Sequence, residues 1–445
     1  MSEMLGSQDD KKARVKELIN RLHNGEAPDQ VKEEFKDVIK GLSPLEIAKI
    51  EGEMIREEMP REKIHDLCDV HLAAMKDAID GTAPIVPDWH PIRILLGEHR
   101  EFLKGATKLR NLSIAVKKAA DEIVAKSDGN AETNTDPGSI WEQLKEIENI
   151  VGGFKHEELH YQREENVLFA YLEKHGITEP PAIMWIDHDH IRAVKKTLRG
   201  LVEKKDEMEL GEFAKTLQEM ALGYHEMISS HFYKENNILF PSSVTVISDQ
   251  EWDEIRDSFD DIGYYFVKPP ERRPVEVASL STDSGVPQGY GMELRKAMPD
   301  GAGKTAGIGA NEQSIRFDSG RFAPEELEAM MNTLPIDMTF VDADDKVRYF
   351  SQGKERIFIR TKSILGREVS NCHPQKSVHI VNQIVEDFKS GARDSAEFWL
   401  ELDGKFILIR YFAVRTKGGE YLGTVEVSQD ITSIRNLSGQ KTLLD

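Results

Sequence analysis

Two ten-residue segments of this chain repeat one pattern. HYQREENVLF at 160–169 and HFYKENNILF at 231–240 each place a histidine four residues before a glutamate, with an asparagine two residues on and an apolar triplet behind it. On a helix, residues i and i+4 lie one turn apart on the same face, so each His–Glu pair offers two ligand groups in one direction. Imidazole with carboxylate suits Fe, Mn or Zn, and a bundle supplying such pairs from facing helices can hold two ions bridged by the carboxylates. The triplets VLF and ILF would wall off that site and lower its dielectric. A single His-x-x-x-Glu usually marks a solvated helix face. Two copies with the same trailing residues, on separate helices of one bundle, predict a metal site.

The frame for that bundle is visible in the periodicity. Apolar residues recur at helical spacing in four segments, near 91–126, 139–175, 181–205 and 209–237, interrupted by SDGNAETNTDPGS, HGITEPP and a weak break at Gly211. Four helices with short connections predict a four-helix bundle over 88–265. The other two segments carry His90 and His99 in HPIRILLGEH, and His188 and His190 in WIDHDH. Positions nine apart point about 180° from each other and lie about 13 Å apart along a helix. His90 and His99 therefore reach one centre only if His90, ahead of Pro91, stands outside the regular helix and curls back. His188 and His190 are about 200° apart, so one faces the core, and His188 is chosen. The expected metal set is His90, His99, His160, Glu164, His188, His231 and Glu235, with no catalytic residue assigned. His156, one turn before His160, and His225, off the His231 face, are expected in supporting or structural roles.

The remaining chain changes character twice. Residues 12–82 read as a small helical domain of short amphipathic helices, VKELINRL, VKEEFKDVIKGL and SPLEIAKIEGEMIREE, closed by the turn signals of TAPIVPDWHP. Residues 266–322, with KPPERRP, STDSGVPQGYG and DGAGKTAGIGANE, lack any sustained period and read as a linker. The GAGKT within it is no phosphate loop, because the required first glycine falls at Met298. From 323 to 437 the pattern is strand-like. MTFVDADDKVRYF gives two runs around an acidic turn, and FWLELDGKFILIRYFAVRTKGGEYLGTVEVSQDI gives three strands joined at Asp403-Gly404 and Gly418-Gly419. With SVHIVNQIVEDFKSG helical between them, an α+β domain with a five-stranded antiparallel sheet is predicted. The fold class is multidomain and mainly α.

Composition narrows the partners. At 445 residues the chain exceeds one ordinary core, and 39% hydrophobic with 31% charged residues reads as globular. No apolar run approaches the roughly 18–20 residues that cross a bilayer. The start, MSEMLGSQDDKKARVKELIN, has acids and lysines where a signal peptide needs an apolar stretch, which predicts a cytoplasmic protein with no membrane partner. A formal charge of −21 argues against nucleic acid as a main partner through long-range repulsion. Two cysteines are too few for a disulfide framework and suit a reducing compartment.

Three resemblances follow from these residues. The stretch 90–241 resembles the hemerythrin-like HHE cation-binding family, through GEHRE at His99, HYQREENVLF at His160 and Glu164, IDHD at His188, and HFYKENNILFP at His231 and Glu235. Relatives with a His-Pro pair at the position of His90 often lack the later histidine, so either residue or both serve as first-helix ligand. The resemblance implies a non-haem di-iron centre with bridging carboxylates that binds O2, NO or peroxide. Oxygen-carrying hemerythrins use His-x-x-x-His on the third helix and a terminal aspartate. Glu235 in its place moves weight toward sensing or redox chemistry. LPIDMTFVDADDKVRYFSQG and GKFILIRYFAVRTKGGEYLGTVEVSQDIT resemble a PAS domain, and LSPLEIAKIEGEMIREEMPREKIHDLCDVH resembles an uncharacterised helical domain seen ahead of HHE modules.

A PAS pocket can hold haem through an axial histidine. His379 is the candidate, with Cys372 and His373 beside it in NCHPQKSVHIV, although a capping or core histidine is the commoner case. Cys68 and His71, three apart on a helix, could bind a metal or respond to oxidation, although such a pair is more often inert. The resulting expectation is a di-iron sensor of O2, NO or peroxide that signals through its PAS domain to a separate protein partner, as a possible homodimer. The alternatives are a redox enzyme reducing NO or O2 with an external donor and a haem or flavin relay, and iron storage or delivery.

Overall fold

The computed structural model describes residues 84–127, 137–269, 314–354 and 356–439, with isolated positions besides. Cys68 and His71 lie outside the described residues. The first helix, α1 (Pro91–Ser127), opens on a proline whose fixed φ suits the first helical position. His90 just ahead of it accepts the Ile92 N–H on Nδ1 at 3.1 Å, the service a capping side chain gives. α2 (Pro137–Arg163), α4 (Glu179–Glu203) and α5 (Leu210–Lys234) complete the bundle. α1 packs beside α2 and α5, and α4 packs beside the same two, which closes a ring in up-down-up-down order.

Both copies of the repeated motif break the regular helix at the same point. α2 runs into a π-turn at Glu164–Leu168 before α3 (Phe169–Lys174), and α5 runs into a π-turn at Glu235–Leu239 before α6 (Phe240–Val246). Each π-turn begins on the motif glutamate. Such widened turns inside helices concentrate at functional sites, and uniform α-helical spacing does not anticipate them. Periodicity also missed a separate α7 (Asp249–Ile262), started by a Ser248/Glu251 capping box and ended at Gly263 with φ +92°.

Two apolar clusters divide the bundle. One includes Leu109, Ile147, Leu198 and Leu217, and the other gathers Leu168, Phe169, Leu239, Phe240, Trp252 and Phe259 at the end where the π-turns lie. The VLF and ILF triplets thus seal the end of the bundle beyond the motif glutamates.

The C-terminal domain begins with a short hairpin, β1 (Ile315–Phe317) and β2 (Gly320–Phe322), inside the stretch read from sequence as linker. After α8 (Pro324–Thr333) come β3 (Asp337–Asp342), β4 (Val347–Phe350), α9 (Gln375–Ser390), β5 (Ser395–Leu402), β6 (Lys405–Arg415) and β7 (Tyr421–Asp430). They form one antiparallel sheet in the order β4-β3-β7-β6-β5, with α9 packed against β6 and β7. The two-residue turn between β5 and β6 has positive φ at Asp403 (51°) and Gly404 (77°), the type I′ geometry that Asp-Gly favours. Helices 91–262 followed by this sheet make the chain mainly helical with a separate α+β unit.

The domain sits against the first π-turn. Arg367 donates to both carboxylate oxygens of Glu173 and to the main-chain oxygen of Glu165, each at 2.7 Å. Thr361 Oγ1 donates to the Asn166 carbonyl at 3.3 Å, and Lys376 pairs with Asp189 at 3.3 Å.

Candidate metal centre

Four histidines and two glutamates from the four bundle helices converge in the interior. His99 comes from α1, His160 from α2, His188 from α4 and His231 from α5, while Glu164 and Glu235 open the two π-turns. All six are buried. Two sets have ligand atoms within 4.8 Å of one another: His99, His160, Glu164 and Glu235; and Glu164, His188, His231 and Glu235. The glutamates belong to both sets, so two cations placed there would each meet two imidazoles and share two carboxylates. His231 Nε2 is 2.8 Å from Glu235 Oε1 and His99 Nε2 is 2.9 Å from Glu235 Oε2. On the other side Glu164 Oε2 stands 3.4 Å from His188 Nε2 and 3.5 Å from His160 Nε2.

The ligand atoms facing inward meet only one another and have no hydrogen-bond partner outside the cluster. Nε2 of His99, His160, His188 and His231 and all four carboxylate oxygens of Glu164 and Glu235 are in this state. Buried polar atoms are costly to leave unmade, and eight together fit a pair of bound cations. The chemistry of the set, imidazole with carboxylate, suits iron, manganese or zinc.

Behind the ligands runs a closed ring of supports. Glu98 on α1 accepts from His160 Nδ1 at 2.9 Å, Glu165 after α2 from His188 Nδ1 at 2.8 Å, and Asp187 on α4 from His231 Nδ1 at 3.1 Å. Asn236 after α5 closes the ring on His99 Nδ1 at 2.9 Å. Each support is the immediate chain neighbour of a ligand but serves the histidine of the next helix. A neighbour is rotated about 100° from the inward ligand, toward the adjacent helix. The supports precede their ligands on α1 and α4 and follow them on α2 and α5, because reversing a helix reverses the sense of that rotation. With Nδ1 donating to its acceptor, a neutral imidazole at each position would present its Nε2 lone pair to a cation.

Three of these acceptors are themselves paired with buried or half-buried cations. Glu98 meets Arg163, which also donates to the Gly263 carbonyl and lies over Tyr264 at 5.0 Å. Glu165 takes Arg192 at 2.8 and 3.0 Å, and Asp187 takes Lys234 at 2.7 Å. Each of these three acceptors thus has a cation beside it, and the two shared glutamates are left as the carboxylates facing two cations.

The electrostatics of the metal-free cluster show the same demand. Burial, then the nearby Glu235 charge, drives Glu164 well above the usual carboxylate range. For Glu235 burial pushes the same way but is outweighed by His231, His188 and His99, which hold it well below. Burial, with His99 adding to it, lowers His160 to about 4 despite Glu98 and Glu235. A cation pair would replace the proton that Glu164 otherwise keeps.

His90 stands apart from this cluster. Its Nδ1 is occupied by the Ile92 N–H and its ring packs on Trp252 at 4.2 Å, because it caps α1 instead of curling back toward His99. His225 meets Thr107 at 3.2 Å and His156 stacks on Tyr265 at 3.7 Å, both away from the centre. The sequence-level site omitted Glu98, Glu165, Asp187 and Asn236. Their only signal was a polar residue beside every ligand, which is common on any helix.

In the C-terminal domain Cys372 and His373 line a cavity of about 20 Å3 with Arg360, Arg367, Glu426 and, from the bundle, Asn166. That volume holds about one water. His373 Nδ1 donates to the Val369 carbonyl at 2.8 Å, and His379 is exposed on α9, outside the cavity wall.

Comparison with known proteins agrees with this layout. Residues 90–242 match the Hemerythrin HHE cation binding domain, residues 327–432 a PAS domain, and residues 15–81 a family of unknown function, DUF438. A solved C-terminal domain from Streptococcus mutans is 34% identical over 28% of this chain and 97% of its own, with a TM-score of 0.27. A PAS domain from Colwellia psychrerythraea is 15% identical over 24% of this chain and 97% of its own, with a TM-score of 0.20. A sensory box sensor histidine kinase from Vibrio cholerae is 11% identical over 24% of this chain and 89% of its own, with a TM-score of 0.19. No curated protein matches the chain. By these matches the chain carries a hemerythrin-like HHE domain at 90–242, between an N-terminal segment similar to a family of unknown function and a C-terminal PAS domain.

Proposed function

We propose that the bundle holds a non-haem di-iron centre and that the protein senses O2, NO or peroxide through it, the PAS domain passing the change to a protein partner. The observation that carries this reading is the convergence of eight buried ligand atoms with no partner outside their cluster, four imidazole nitrogens and four carboxylate oxygens, on one interior point. Bound iron would supply redox change and a position for a small exogenous ligand. The chain supplies the rest. His99 and His160 would hold one ion and His188 and His231 the other, with Glu164 and Glu235 shared between them. The Phe169 and Phe240 ends of the triplets exclude water, and the ring of Nδ1 acceptors keeps each imidazole in one tautomer and orientation. A sensor needs two states with different contacts, and a change in charge beside Glu164 and Glu235 provides that difference.

The test is anaerobic purification with metal analysis, and absorption spectra before and after O2 and NO. Two irons per chain with ligand-dependent charge-transfer bands are expected. One iron, or zinc in place of iron, or spectra indifferent to both gases, would overturn the reading. Repeated consumption of NO or O2 with an electron donor would move the protein to the redox enzymes.

A further inference from the structure

A buried cation of the C-terminal domain, Arg367, reaches the turn behind the centre. Arg367 is buried, and three of its nitrogens are committed to the bundle. Nε and one terminal nitrogen form a fork on the Glu173 carboxylate, and the other terminal nitrogen donates to the Glu165 carbonyl. Glu165 lies in the π-turn that begins with Glu164, and its own carboxylate receives His188 Nδ1. The next carbonyl of that turn, Asn166, receives Thr361. Two successive peptide units behind the shared ligand Glu164 are thus pinned by donors from the other domain. Arg367 and Asn166 also both wall the cavity that holds Cys372 and His373.

We propose that Arg367 is a positioning residue for the metal centre, fixing the Glu164–Leu168 π-turn from the C-terminal domain and carrying a shift of that turn into the cavity. The proposal rests on the di-iron reading for the metal-linked part of its effect. Its geometry is specific to a guanidinium. A planar fork serves two carboxylate oxygens and a carbonyl at once, while an ammonium on a lysine stem presents a point charge without that fork. A movement of Glu164 toward or away from a bound ion drags the Glu165 peptide with it, and Arg367 is the rigid group between that peptide and the cavity wall.

The experiment uses the full chain as wild type, Arg367→Ala, Arg367→Lys and Glu173→Gln, with Arg348→Ala, an exposed position in the C-terminal domain, as control. Amide hydrogen exchange is followed in peptides covering 164–173 and 361–373, first without metal and then after anaerobic loading with Fe(II), and Fe(II) affinity is measured by chelator competition. Without metal, Arg367→Ala and Glu173→Gln are expected to speed exchange at 164–173 by about tenfold, with Arg367→Lys between them and wild type and Arg348→Ala unchanged. Fe(II) affinity is expected to fall by about tenfold in Arg367→Ala, the lower end of what outer partners of metal ligands contribute. Loading is expected to alter exchange at 361–373 in wild type, and this response is lost without Arg367. Unchanged exchange at 164–173, unchanged affinity, or a response at 361–373 that survives the substitution would each overturn the proposal. If wild type takes up no metal, the di-iron reading fails, and the metal-free exchange alone decides whether Arg367 pins the turn. If Arg367→Ala loses its helical circular dichroism, Glu173→Gln, which breaks the same pair from the bundle side, decides.

Discussion

Glu164 is the residue whose two roles oppose each other most clearly. Without metal its carboxyl is pushed toward the neutral form by burial and by Glu235, so a neutral amide of the same shape suits the site. Glu164→Gln is expected to leave the apo chain as stable as wild type or more so by thermal melting, and to abolish binding of both metals by chelator competition. Glu98→Gln touches no inward donor but replaces a charged acceptor of His160 Nδ1, and a fall of about 10–100-fold in metal affinity is expected. His90 is a separate case. Burial lowers it to about 4 from an ordinary 6.5, so the unfolded chain binds more protons between those values. Its contribution to stability is complete above about 6.5 and is lost as pH falls toward 4. His90→Asn keeps an acceptor for the Ile92 N–H and removes the titration. Urea midpoints of the variant are therefore expected to fall less steeply than wild type over that window.

At the scale of elements, the two π-turns matter most. Both begin on a motif glutamate and lead into the triplet that seals the end of the bundle. The spacing of His160 and Glu164, and of His231 and Glu235, was legible because one turn of helix already sets it. The widened turn that follows was not, since local periodicity of apolar residues continues through it. In the sheet, Gly423 sits at φ +149° with the Val341 carbonyl and the Phe340 ring where a Cβ would stand. Gly423→Ala is expected to destabilise the C-terminal domain by more than about 1 kcal/mol, measured by thermal or urea unfolding. The β5–β6 hairpin was legible from Asp403-Gly404 because only a few residue types accept positive φ. The β1–β2 hairpin was missed because Ile315–Phe322 carries an exposed Phe317 and no alternation of buried and exposed positions.

For the whole molecule, metal and fold are linked. Binding to the folded chain alone stabilises it by about 2.7 kcal/mol at a metal concentration 100 times the dissociation constant. Loading is therefore expected to raise the melting temperature of the bundle and a chelator to return it. A melting curve unaffected by either would mean that the six buried ligands do not bind. No described helix is long and apolar enough to cross a membrane.

The chain alone determined which side chains could share a centre within each helix, since a turn of α-helix brings residues four apart onto one face whatever surrounds it. It also determined the alternation of strands and the turn between β5 and β6, which depend on backbone preferences of a few residues. Tertiary structure decided which histidine of the first helix lies in the cluster, which neighbour supports which imidazole, and how Arg367 reaches the turn behind Glu164. Those relations join residues far apart along the chain, and only the packing of helix on helix and domain on bundle brings them within hydrogen-bonding distance.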